Sequence, residues 1–189
     1  MKTFFKGFCI GLLSLSLLGL LWFLVLQPGL TNKEAQDLKE EYAQPLPGES
    51  SGELPAGKEQ AASLVNLSAL QAEYPDIQGW ISIPGTCVDY PVLQSSADEP
   101  EYYLRRTYKG EHRTAGSIFF QWDCSPESRN LVVYGHNMSD GTMFAVLQKM
   151  ADEAFRTEHS KILLQTSDGL WEYRIAAVLK TDITKLSFN

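Results

Sequence analysis

From Gly79 onward the chain breaks into short runs rich in β-branched and aromatic residues, each closed by a turn signal. That patterning restricts it to a sheet-dominated fold. WISIPG (80–85) predicts a strand closed by Pro84-Gly85, and CVDYPVLQ (87–94) predicts a second. Pro91 marks the second as an edge or bulged strand, because proline cannot donate to a ladder. GSIFFQW (116–122) and NLVVYGH (130–136) predict two more. KILLQTSDGLWEYRIAAVLKT (161–181) predicts a hairpin turning at Ser167-Asp168-Gly169. Short strands of this kind, joined by long crossings, suggest a barrel or a sandwich.

Two helices interrupt the strands. Leu64, Leu67 and Leu70 recur at helical spacing after Ala61 and Ala62, and Pro75 closes that segment. Met143, Phe144, Leu147 and Met150 give a helical stripe over 141–159, with Asp140 and Thr142 where a cap would sit.

The N-terminus predicts topology. Lys2 and Lys6 precede a charge-free apolar run from Phe8 to Leu26. At ~1.5 Å per residue that run reaches about the thickness of a bilayer core. It exceeds the roughly 7–15 residues of a cleaved signal peptide and lacks a small-residue cleavage site. The expectation is a single-pass signal anchor over 8–26, with residues 1–7 cytoplasmic and everything after Gln27 outside the cell. Residues 31–41 read as a charged, helix-compatible, solvated stalk. Residues 42–58 carry Pro, Gly and Ser without periodicity and read as a flexible linker. The expected division is 27–58 stalk and linker, then 59–189 the β domain.

A net charge of −7 argues against a nucleic-acid partner, since phosphate binding needs clustered Lys and Arg. HExxH, paired CxxC, a phosphate-binding glycine loop and Gly-x-Ser-x-Gly are all missing from the sequence, so no metal or cofactor is expected. Among the histidines, His112 and His159 lie in polar stretches and read as solvated surface residues. His136 ends an apolar strand just after Gly135, on a rigid element beside a loop, which suits a general acid or base. A Cys124–His136 pair is conceivable, but WDCSPES (122–128) reads as a turn with no activating cation nearby.

The stretches YPDIQGWISIPGTCVDYPVLQ, EYYLRRTYKGEHRTAGSIFF, NLVVYGHNMSDGTMFAVL and YRIAAVLKT, in this order and spacing, strongly resemble class B sortases, membrane-anchored cysteine transpeptidases of Gram-positive bacteria. The resemblance runs from about Leu64 to the end. It implies a mainly β, sortase-like barrel with an N-terminal helix and one inserted helix. It implies a cysteine thiolate that cleaves a Pro-x-Thr-type sorting signal after Thr and passes the acyl group to a peptidoglycan or pilin amine. Partners would be secreted proteins bearing a C-terminal sorting signal and a peptidoglycan precursor or cross-bridge amine. His136 takes the place of the family's catalytic histidine. Tyr134 and Leu104 match positions that line the substrate groove.

The family's nucleophile sits in a Thr-Leu-x-Thr-Cys motif at the end of the seventh strand, and its arginine sits on the eighth. Neither motif occurs in this sequence. Cys87 falls in a turn after the first strand, and none of Arg105, Arg106, Arg113, Arg129, Arg156 and Arg174 matches the arginine. The expectation is therefore a domain lacking its last two strands, a fragment of a longer protein. The alternative is a truncated, non-catalytic, membrane-anchored surface protein.

Overall fold

A computed structural model describes residues 27–44 and 64–181, together with Leu13, Ser14, Ser16 and Gly19. Most of the anchor expected over 8–26, most of the linker and the start of the helix expected from residue 59 lie outside the described residues. Among the described residues no helix is long and apolar enough to cross a membrane.

Helix α1 (Gln27–Glu41) leads into β1 (Ala43–Gln44), which pairs antiparallel with β2 (Leu64–Val65). Helix α2 (Leu67–Glu73) follows, its first turn capped by the Asn66 carboxamide, which accepts from Ala69 N at 3.1 Å. The main sheet comprises β3 (Ile77–Ser82), β4 (Asp89–Gln94), β5 (Ile118–Phe120), β6 (Val133–Tyr134), β7 (Lys161–Thr166) and β8 (Gly169–Arg174). Its order is β6-β5-β4-β3-β7-β8, a curled half-barrel. All pairs are antiparallel except β4 with β5.

Alternation along the central strands splits the core between two faces. Val92, Ile118 and Phe120 pack on one face with Val146, Met150 and Leu164. Leu93 and Phe119 turn to the other face, against Leu67 and Leu70 of α2. Burying each of those leucines stabilises the docked helix by roughly 1.5–3 kcal/mol.

Four expectations are corrected. The segment read as a solvated stalk is α1, which packs on β4. Ala35 and Leu38 are buried, and Lys39 binds the Asp89 carboxylate through both oxygens at 2.9 and 2.7 Å. Charge at the surrounding positions hid a narrow apolar stripe. Strand β4 is central, not an edge, and the irregularity lies in β3 between Ile77 and Gly79. Pro91 is tolerated because the ladder to β5 starts one residue later, at Val92. The inserted helix is two pieces, a 3-10 segment Ala145–Ala151 and α3 (Glu153–Glu158). Asp152 breaks the run by leaving helical geometry and capping Phe155 N at 2.9 Å. The hairpin turn is Ser167-Asp168, with Gly169 already paired to Thr166, and β8 stops at Arg174 rather than Thr181.

Candidate active site

Strand β6 is only two residues long, so His136 sits two positions past its end. Gly135 causes the early stop. A Cβ there would lie 2.4 Å from Ile118 Cδ1 and 2.6 Å from Phe144 Cδ2, so the backbone runs against the core and any side chain would have to displace these two. The chain then loops through 137–143 and returns. Asn137 bridges to Met143, and Phe144 N donates to the His136 carbonyl at 2.9 Å. Asp140 ties the loop internally by accepting from Thr142 N at 2.8 Å and Thr142 Oγ1 at 2.6 Å. Met143 is buried with a left-handed φ of 56°, and its N–H donates to the Tyr90 hydroxyl at 3.2 Å. The returning segment thus holds the His136 carbonyl.

The structure brings His136 and Leu104 together. Nε2 of the half-buried imidazole lies 2.9 Å from the Leu104 carbonyl oxygen. A carbonyl only accepts, so Nε2 carries the hydrogen and donates it. Leu104 belongs to the 3-10 segment Tyr102–Arg105, and its side chain is half-buried. Its link to the histidine runs through the backbone. Tyr134 is exposed on β6, its hydroxyl donating to Gln121 Oε1 at 2.9 Å and its ring tilted against Phe119 at 5.5 Å.

The cysteines do not join this cluster. The Cys124 thiol donates to the Asn130 carbonyl at 3.4 Å and faces Asp123 Oδ1 at 3.8 Å, with no hydrogen bond to His136 among the described residues. The Cys87 thiol donates to the Gly141 carbonyl at 3.1 Å, and burial pushes its pKa up, which favours the unreactive thiol. Four of the arginines are committed elsewhere. Arg113 pairs with Glu34, Arg105 donates to Thr114 O, Arg156 to Met150 O, and Arg106 stacks over Tyr102 at 4.6 Å. His112 is exposed as expected. His159 is not a free surface residue, since its Nδ1 lies 3.0 Å from Pro84 O and its ring lies 4.3 Å from that of Phe155. Among the described residues no group of three or more His, Cys, Asp or Glu side chains could hold a metal.

One contributor escaped sequence reasoning. Gly116, with φ 57°, lies so near the 3-10 segment that a Cβ would fall 2.3 Å from Leu104 O. The only signal in the sequence is a glycine in "TAGS", ambiguous without the 3-10 segment it packs against.

A family profile described as Sortase domain matches residues 81–189, more than half of the chain. The chain belongs to the sortase family, and its relatives place it among the class B sortases. Sortase B of Listeria monocytogenes is 40% identical over 117 residues, 61% of this chain and 47% of that protein. Sortase B of Staphylococcus aureus is 33% identical over the same length and shares. A solved Bacillus anthracis protein, described as similar to sortase B, superposes with a TM-score of 0.60 at 29% identity, covering 84% of this chain and 73% of that one. The chain spans about half the length of the curated relatives it matches. As a class B sortase domain, its described part holds the sheet around β3 to β8 and the histidine loop.

Proposed function

We propose that this chain is part of a sortase B-type cysteine transpeptidase, with His136 as its proton-transfer group. The observation that carries the reading is His136 on a loop held through its carbonyl by Phe144 N, its Nε2–H donated to Leu104 O, with Tyr134 exposed two residues earlier on β6. On this reading the nucleophilic cysteine and the oxyanion-stabilising arginine are those of the family pattern, whose Thr-Leu-x-Thr-Cys motif does not occur in these 189 residues. In the reaction a thiolate attacks the Thr carbonyl carbon of a Pro-x-Thr-type sorting signal. A C–S bond forms, and the C–N bond after Thr breaks as its nitrogen takes a proton from the His136 imidazolium. A peptidoglycan or pilin amine then attacks the thioester. The new amide forms, the thiolate leaves, and the neutral imidazole takes the amine's proton. Tyr134 and Leu104 line the groove for the signal peptide. The protein is membrane-anchored by residues 8–26, N-terminus inside and the sortase domain outside the cell, and it uses no metal or cofactor.

The test uses the protein purified from its native membrane. It is mixed with a peptide carrying Asn-Pro-x-Thr or Leu-Pro-x-Thr and an oligoglycine amine. Mass spectrometry should find the peptide severed after Thr and joined to the amine. An uncleaved peptide, with a protein mass matching 189 residues, would instead favour the non-catalytic surface protein.

A further inference from the structure

We infer that the Leu104 carbonyl, held in place by Gly116, is a positioning device that dedicates Nδ1 of His136 to proton transfer; the inference rests on the transpeptidase reading above for its chemical consequence, though not for its geometry. Three carbonyls around the 3-10 segment are claimed by the stretch that leads into β5. Tyr103 O accepts from Ser117 N at 2.9 Å, Arg105 O from Arg113 N at 2.9 Å, and Arg106 O from the Ser117 hydroxyl at 2.8 Å. Leu104 O is left facing the imidazole, and it takes the Nε2–H. Gly116 makes this possible. An added Cβ would meet Leu104 O at 2.3 Å, Leu104 C at 2.6 Å and Tyr103 O at 2.6 Å, all backbone atoms that cannot swing aside. Its φ of 57° also disfavours any other residue. The two backbones therefore lie face to face, and their contact sets where the carbonyl points.

The consequence is a division of labour on one ring. A histidine's working nitrogen is set by the hydrogen bond its other nitrogen makes. Nε2 keeps its hydrogen in both charge states, because the carbonyl can only accept. Nδ1 has no hydrogen-bond partner among the described residues. Nδ1–H of the imidazolium gives its proton to the departing nitrogen as the C–N electron pair moves there. The neutral ring that remains is still Nε2–H bonded to Leu104. The Nδ1 lone pair later takes a proton from the incoming amine. The ring neither flips nor changes tautomer between the two half-reactions, and the reacting atoms must approach from the Nδ1 edge.

The test reads the ring directly in the full chain, labelled with 15N-histidine, and needs no turnover. His136→Gln assigns the His136 signals. A one-bond 1H–15N ring signal from Nε2 should persist at neutral pH, because a hydrogen-bonded proton exchanges slowly, while Nδ1 shows none. A persistent signal at Nδ1, or none at Nε2, overturns the inference. Gly116→Ala should abolish the His136 Nε2 signal and leave the His159 ring unchanged. Should Gly116→Ala fail to fold, Ser117→Ala, which frees the Arg106 carbonyl, should speed exchange of the Nε2 proton at least several-fold. A folded Gly116→Ala, or failing that a Ser117→Ala, with the His136 ring signals of the parent removes the positioning role. Failure of peptide transfer with these signals intact would count against the transpeptidase reading alone.

Discussion

Gly135→Ala is the sharpest probe of how this fold delivers its histidine. The φ of Gly135 lies outside the left-handed region, so alanine is conformationally permitted there. The cost is therefore contact, not backbone strain. The new methyl would sit 2.4 Å from Ile118 Cδ1 and 2.6 and 3.0 Å from Phe144 Cδ2 and Cε2. Carbon atoms rest about 3.5–4.0 Å apart, so the closest approach falls short by about 1.1–1.6 Å. Phe144 is half-buried and its ring can tilt. Ile118 is 1% exposed and sealed among Val92, Phe120 and Met143, so it has nowhere to go. Overpacking of this kind costs roughly 1–3 kcal/mol. Urea denaturation should show a lower midpoint with an unchanged slope. Ile118→Val deletes the offending Cδ1 and alone should cost about 0.5–1.5 kcal/mol. Combined with Gly135→Ala it should cost less than the sum, with a coupling on the order of 1 kcal/mol. Strict additivity, or a Gly135→Ala midpoint equal to the parent's, would refute the claim that close packing ends β6 and aims His136.

Other consequences follow from the same contacts. Asp89 accepts from Lys39, Gln36 and the Trp80 indole, so Asp89→Ala strands three donors and should cost about 2 kcal/mol or more, read as faster proteolysis within α1; cleavage at the parent rate would contradict the docking. Burial pushes Tyr90 up from 10.0 to about 12. The unfolded tyrosine ionises first, so this stabilisation is complete below pH 10 and is lost between pH 10 and about 12, on the order of 2–3 kcal/mol. Denaturation at pH 9 and pH 11.5 should show that loss in the parent and a smaller one in Tyr90→Phe, whereas equal losses would remove Tyr90 as its source. In a Cys9→Ser, Cys124→Ser background a thiol reagent at pH 8 should modify Cys87 more slowly than an unfolded peptide thiol, since burial raises its pKa; labelling at the peptide rate would contradict that environment.

The six strands of the main sheet were legible because each pairs a short apolar run with an adjacent turn signal, and His136 was legible as the polar residue ending such a run. What stayed hidden was relational. Pro91 reads as an edge signal on its own, yet β4 is central because the ladder to β5 begins at Val92. Residues 31–41 look solvated because Ala35 and Leu38 are the only buried apolar residues within a charged segment. Asp152 looks like one more polar helix residue until its side chain is seen to cap the next turn. Gly116 carries no local signal, since the atoms that exclude a side chain there lie twelve residues earlier. Leu104 was singled out only as a groove position, while its hydrogen bond to the histidine is made by its carbonyl.

The most direct test of the central claim compares His136→Ala with the parent in peptide transfer, using protein purified from its native membrane. General acid–base groups contribute typically about 10²–10⁴-fold, so kcat should fall by that order while circular dichroism stays that of the parent. A His136→Ala protein that transfers the peptide at the parent rate would contradict the account.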